Sequence, residues 1–339
     1  MQRGRIVDII KVAVSLSLLT LLVRAVGWQE TWAVVRRARL EFLGAAAVIY
    51  LFTLVVRAVR WRILLNAQGI SVPTWRLAYL YFVGSFFNMV LPSGVGGDVV
   101  KIYELARHNP GDLSHFEARV VSSVIADRTS GLVVLFLMGA AVTPWAAGHL
   151  PPAVVSLLLG LTVVSMVGLA IFLNPTWRRR VERSVPGARW LFSRRGVRGL
   201  YASLEHYSWS ALWRAASVSL GFNGLIVLVN VALGLAFRVS VPLIDYLVFV
   251  PIISFLLVLP FSINGLGVRE GGYVALFGQV GVPRESALAM SLAFYAITLL
   301  AGLLGGLWYV VENVRSLRSS RNAPRNRQEE LSRHDVRAE

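Results

Sequence analysis

Apolar residues run along this chain in blocks of roughly the length of a membrane span, with polar and charged residues gathered between the blocks. A helix crossing a bilayer core needs about 20 apolar residues. Six blocks meet that length: Ile6–Val26, Phe42–Trp61, Ala118–Val142, Ala153–Leu173, Leu212–Phe237 and Ala287–Val311. Two further apolar regions, Trp75–Arg107 and Leu243–Val280, do not, because each is broken by Gly, Pro and charged residues. Their arms of about 11 to 17 residues span roughly half to four fifths of the hydrocarbon core. A backbone that stops being helical at membrane depth must be buried in protein or line a wet cavity. Each region therefore predicts a re-entrant hairpin of two half-helices, with two short tilted spans as the alternative.

The predicted fold is all-α and integral to the membrane: a polytopic helical bundle of six full spans plus two re-entrant hairpins, about eight membrane segments. Composition agrees, since 56% of the 339 residues are hydrophobic and 15% charged, with a mean hydropathy of +0.63. An ordinary soluble domain carries far more charge. The net charge of +16 raises nucleic acid as a partner. The arginines instead gather between apolar blocks and in the tail, where they set orientation and meet anionic lipid headgroups. No nucleic-acid partner is expected. The absence of cysteine excludes disulfides, thiolate chemistry and cysteine-based metal sites. His108, His115, His149, His206 and His334 show no paired ligand spacing, so neither a metal nor a cofactor is expected.

Loop charge orients the chain in the cell membrane. Arg3 and Arg5, the cluster Arg57, Arg60 and Arg62, the run from Arg178 through Arg198 and the arginine-rich tail after Glu312 are assigned to the cytoplasm. The first block is too long for a signal peptide and lacks a small-residue cleavage site, so it reads as a retained span. Thr143–Pro152 carries no Asp, Glu, Lys or Arg and is placed outside. Arg36, Arg37 and Arg39 break the rule; they sit in Thr31–Leu40, read as a short amphipathic interfacial helix. With both termini cytoplasmic, the first hairpin enters from the cytoplasm and the second from the opposite face. The order span, span, hairpin, span then occurs over residues 6–142 and again, reversed in direction, over 153–311. This inverted repeat fills one membrane domain, residues 1–315, with a cytoplasmic amphipathic loop at 174–211 that sets Leu200, Tyr201, Leu204 and Tyr207 at helical spacing. Residues 316–339 are too polar to fold alone and are expected to be a disordered tail. The plainer account of the echo between halves is that Gly and Pro are common in membrane helices.

The breaks hold the candidate chemistry. The first reads Phe87-Asn88-Met89-Val90-Leu91-Pro92-Ser93-Gly94-Val95-Gly96-Gly97-Asp98, and the second Ser262-Ile263-Asn264-Gly265-Leu266-Gly267-Val268-Arg269-Glu270-Gly271-Gly272; the block Ala118–Val142 adds Asp127-Arg128. Together these resemble the flippase-like membrane region of lysylphosphatidylglycerol synthases, over nearly the whole chain as far as Val314. The resemblance implies a lipid-handling membrane protein whose larger relatives move an aminoacylated phospholipid between leaflets. Those relatives add a soluble aminoacyl-transferase domain. Here a short polar tail follows Val311, so translocation rather than synthesis is expected.

The residues themselves point to an anionic headgroup. Gly94, Gly96 and Gly97 permit close backbone approach just before a half-helix running from Asp98 toward Arg107, and free amides at such an end attract phosphate. Ser93 and Asn88 join this candidate site. Asp98 and Lys101, three apart, can pair with each other or exchange that partner for a headgroup. In the second break, Arg269 offers a planar fork for phosphate oxygens. Arg269 and the adjacent Glu270 are expected on different sides of their helix, each with its own partner. Gly265 and Gly267 permit a hinge or tight packing, and Asn264 caps the helix or holds the headgroup. A mid-span charge costs about 2.5–3.5 kcal/mol unless paired or hydrated. Arg128 can therefore complete an anion site while Asp127 binds a cation or proton, or both can form structural pairs to other helices. Asp98, Asp127 and Glu270 are the candidates for proton coupling.

These features favour a membrane lipid translocase acting by alternating access on a phospholipid substrate. One alternative is the membrane subunit of a lipid aminoacyl or glycosyl transferase system, whose partner is a separate soluble transferase. Another is a small-solute or ion transporter.

Overall fold

The computed structural model describes residues 17, 20–91, 96–107, 113–184, 207–258 and 265–322. Every regular element among them is an α-helix: α1 (Trp28–Arg36), α2 (Leu40–Ala67), α3 (Thr74–Val90), α4 (Gly96–Arg107), α5 (Leu113–Ala141), α6 (Thr143–Ala146), α7 (Pro152–Leu173), α8 (Pro175–Ser184), α9 (Trp209–Ala236), α10 (Leu243–Val258), α11 (Val268–Gly278) and α12 (Arg284–Asn322). Five of these, α2, α5, α7, α9 and α12, are long and apolar enough to cross a membrane. They match five of the six expected blocks. Of the sixth, Ile6–Val26, residues 20–26 are helical and most of the rest lies outside the described residues, as do Leu200–His206 of the amphipathic loop and the tail beyond 322.

Several helices outrun their apolar blocks. The helix α2 continues past Trp61 to Ala67, and α12 passes Val311 to reach Asn322. Hydrophobicity falls where charged residues begin, but the backbone hydrogen bonds of a helix continue regardless of side-chain polarity. This corrects the assignment of Arg57, Arg60 and Arg62 to a cytoplasmic loop. All three lie on α2; Arg60 is 2% exposed, Arg57 is half-buried, and only Arg62 is a surface charge, donating to Thr74 Oγ1 at 2.9 Å.

Each broken region forms two short helices, α3 with α4 and α10 with α11. The first pair crosses closely because both contact residues are glycine: a Cβ on Gly84 would meet the Gly97 carbonyl oxygen at 3.2 Å, and one on Gly97 would meet Asn88 Nδ2 at 2.9 Å. No larger residue fits at Gly97 without separating the helices.

One signal in the sequence connects the halves more tightly than the breaks do. After α2 comes Gln68-Gly69-Ile70-Ser71-Val72-Pro73 and after α9 comes Phe237-Arg238-Val239-Ser240-Val241-Pro242. Both helices stop in the same way. Gly69 has φ +73° and Arg238 φ +58°, and the following amides reach back to Leu65 O at 3.0 Å and Gly234 O at 2.8 Å. This is the six-to-one closure of a Schellman turn, and the serine and proline that follow lead into α3 and α10. The helices ending in these turns, α2 and α9, form the most extensive helix pair of the bundle. Leu54, Trp61, Leu77, Tyr81 and Val120 centre one apolar core on α2, α3 and α5. Phe136, Leu233, Phe249 and Phe277 centre a larger one on α5, α9, α10 and α11.

Candidate functional site

The first broken region meets α2 and α5 in a buried network of charges. Asp98, in the first turn of α4, receives Lys101 Nζ at 2.6 Å and is also paired with Arg128 of α5. Next to Arg128 on α5, Asp127 accepts from Arg60 Nε at 2.6 Å and from the Tyr81 hydroxyl at 2.6 Å. Arg60 extends to Ser219 Oγ of α9 at 3.1 Å, which ties the second half into the network. Asp98, Lys101 and Asp127 are 6%, 4% and 2% exposed; Arg128 is the member that reaches an open surface.

Aromatic faces carry the remaining positive charge. Lys101 Nζ sits 4.1 Å from the centroid of Tyr81 and the Arg57 guanidinium 4.6 Å from the same ring. Arg60 and Arg57 also lie 5.2 and 5.6 Å from Phe222. A cation over a ring face is stabilised by the ring quadrupole, but a ring does not neutralise a charge. Among the described residues, Arg60, Lys101 and Arg128 pair with the carboxylates of Asp98 and Asp127, and Arg57 stands beside them with its Nε buried without a hydrogen-bond partner.

The glycines and Asn88 shape this site. Asn88 Oδ1 accepts from the Gly97 amide at 2.8 Å, so Asn88 caps the start of α4, where Gly96 and Gly97 are buried. Ser93 and Gly94 lie outside the described residues, as does Asn264 of the second break.

The second broken region is arranged differently. Gly265 and Gly267 adopt φ +74° and +82°, turning the chain into α11. Glu270 reaches back to accept from the Gly267 amide at 2.6 Å, satisfying an open donor at the start of α11. Arg269 and Glu270 do not diverge to separate partners as their helical spacing suggests. The Arg269 fork folds over to Glu270 Oε1 at 3.1 Å, because both side chains are buried, 3% and 0% exposed, and the long guanidinium side chain can bend to the nearest anion. Ser291 donates to the same oxygen at 3.3 Å, and the guanidinium lies 4.7 Å from the Tyr295 ring. Tyr50 on α2 packs edge-on against Phe294 of α12, ring centroids 5.6 Å apart, next to the Tyr295 that faces Arg269, which brings the second region against α2.

Sequence reasoning found Asp98, Lys101, Asp127 and Arg128 but missed Arg57, Arg60 and Tyr81. Arg57 and Arg60 were visible as charges at helical spacing within or against an apolar block. Tyr81 left no mark among the other aromatic residues.

Comparison with known proteins agrees with this picture. The chain is 26% identical over 277 residues, 73% of its own length and 78% of the relative's, to a UPF0104 membrane protein of Methanothermobacter thermautotrophicus. Residues 9–306 match the model of a membrane-region family, a span that includes both broken regions and α5 between them. By that match the chain is a multi-pass helical membrane protein and belongs to the lysylphosphatidylglycerol synthase TM region family.

Proposed function

We propose that this protein moves a phospholipid, or another lipid with an anionic headgroup, between leaflets by alternating access, without making the lipid itself. The supporting observation is the imbalance of charge in the first network: among the described residues, four cations, Arg57, Arg60, Lys101 and Arg128, gather around two carboxylates, and Arg57 has a buried, unpartnered nitrogen. Uncompensated charge at membrane depth costs about 2.5–3.5 kcal/mol each on insertion scales. A phosphate entering the network offsets that cost, with Arg128 as its outermost contact and Asp98 releasing Lys101 or Arg128 to it.

Two features favour a lipid over a small solute. An apolar groove of about 210 Å³ runs beside the network between α5, α7 and α9, lined by Thr129, Ser130, Val133, Leu137, Met166 and Trp213. Thr129 and Ser130 follow Arg128 directly, so a headgroup at Arg128 has a place for an acyl chain alongside. Family membership points the same way, toward lipid modification or translocation.

The two broken regions act as re-entrant hairpins of an inverted repeat, entering from opposite faces, in a cell-membrane protein with both termini cytoplasmic. The matching turns after α2 and α9 and the pairing of those two helices support this arrangement. In such transporters, discontinuous helices from two repeats line a site near the midplane.

Reconstitution tests the reading. Purified protein in vesicles is expected to exchange labelled phosphatidylglycerol between leaflets above the rate of protein-free vesicles, and Arg57→Gln with Arg128→Gln to remove the excess. No exchange of phosphatidylglycerol, its aminoacyl derivative, cardiolipin or a polyprenyl phosphate would sink the proposal.

A further inference from the structure

A second basic site lies at the other end of α2. The Arg39 amide donates to Ala236 O at 3.0 Å, which holds the start of α2 against the end of α9 and brings Arg39 beside Arg238. Between them is a cavity of about 250 Å³ lined by both arginines together with Ser240, Tyr246 and Val231. That is the volume of on the order of eight water molecules, enough for a phosphate and a small polar substituent but not for acyl chains. The helix α2 separates this end from Arg60 and the central network by most of its length, about 1.5 Å for every residue.

Three observations converge here. Arg238 holds φ +58°, alone among the non-glycine residues described in taking a positive value. At the matching point of the matching turn, the first half has Gly69. An arginine in place of glycine raises the backbone energy with no gain to the turn, and strain of this kind marks functional positions. The second observation is the company it keeps, since Arg39 shares its cavity. Arg39 is held by Glu41 at 2.9 Å and by the Phe42 ring at 4.4 Å, so one carboxylate stands against two guanidinium groups. The third is position. In the orientation proposed above, both arginines face away from the cytoplasm, where loop arginines work against insertion. Arg238 thereby joins Arg36, Arg37 and Arg39 in departing from that rule, and a ligand accounts for the departure.

We infer that Arg39 and Arg238 form a phosphate-binding site, separate from the central network, that takes either the phosphodiester of a lipid with net negative charge or a free phosphate ester at this end of the bundle. The two guanidinium groups supply the bidentate contacts and Ser240 a hydroxyl donor. The inference does not depend on leaflet exchange; its third observation and the side of the membrane it faces rest on the proposed orientation.

Thermal unfolding of the full chain tests it, first in phosphatidylcholine nanodiscs with and without inorganic phosphate, then in nanodiscs containing phosphatidylglycerol. Either anion is expected to raise the melting temperature. Protection by phosphatidylglycerol alone assigns the site to a lipid headgroup, and protection by inorganic phosphate to a soluble ester. In both cases Arg238→Gly should weaken the apparent affinity at least about tenfold, a loss of ~1.4 kcal/mol. In plain phosphatidylcholine it should melt no lower than the unmutated chain, because glycine suits the turn. Arg39→Gln is expected to weaken binding similarly. Unchanged protection in both variants would overturn the inference, as would a lower melting temperature for Arg238→Gly in phosphatidylcholine, which would mark Arg238 as a structural contact.

Discussion

The two broken regions contain similar residues and handle charge in opposite ways. Among the described residues around α4, cations outnumber carboxylates and Arg57 keeps a buried nitrogen unpartnered; around α11, Arg269 and Glu270 balance each other, with Gly267 and Ser291 completing the carboxylate. A closed pair holds structure, whereas an open surplus leaves room for an anion. The difference moves the weight of ligand binding from Arg269, whose fork is already occupied, to the network of Arg57, Lys101 and Arg128.

The largest effect should come from opening the closed pair. Glu270→Ala strands a buried guanidinium and the Gly267 amide, and a broken buried pair costs about 3–5 kcal/mol. Unfolding in detergent measures this, and added anionic lipid should restore none of it, because Arg269 is 3% exposed, whereas the network around α4 reaches an open surface through Arg128. Recovery with phosphatidylglycerol would show that the second region is open after all. Next in size is Asp98→Asn, which weakens charged hydrogen bonds to Lys101 and Arg128 worth about 1.5–3 kcal/mol. Here anionic lipid is expected to recover most of the loss. If neutral and anionic lipid give the same stability, the contrast between the regions fails.

The sequence made some of this legible and concealed the rest for physical reasons. Long apolar blocks located the spans, and Gly and Pro located the breaks, because both signals are local. Asp127 and Arg128 stood out for the same reason, as charges inside an apolar block. Pairing is not local: Arg60 and Asp127 are 67 positions apart, and a charge near the end of a block looks like a loop charge until a partner buries it. Helical spacing also misled at Arg269 and Glu270, since it fixes where a side chain leaves the helix and not where a long guanidinium side chain ends. The shared Ser-Val-Pro turns after α2 and α9 were present to be read, and match each other more closely than the two breaks do.

A smaller effect on stability carries the sharpest functional contrast. Arg57→Gln forfeits cation–π contacts with Tyr81 and Phe222, on the order of 0.5–2 kcal/mol, and relieves the cost of a surplus buried charge, so stability should hold or rise. Leaflet exchange of phosphatidylglycerol should nevertheless fall at least about tenfold, equivalent to ~1.4 kcal/mol of lost interaction with the translocating lipid. A variant that is clearly less stable but exchanges lipid normally would make Arg57 a structural residue and remove the surplus from the argument.

The smallest effect separates capping from ligand contact at Asn88. Its carboxamide oxygen accepts from the Gly97 amide, and the loss of such a cap typically costs about 1 kcal/mol. Asn88→Asp keeps an acceptor at the same position and adds a negative charge near the start of α4, where the helix dipole tolerates it. Stability should therefore fall for Asn88→Ala and hold for Asn88→Asp. Exchange divides the two roles differently: if Asn88 only caps, Asn88→Asp exchanges lipid as the unmutated chain does. If it touches the headgroup, the added carboxylate repels the phosphate and exchange drops while stability is kept. The cap geometry predicts the first result, which confines headgroup binding to the charged side chains beyond the turn.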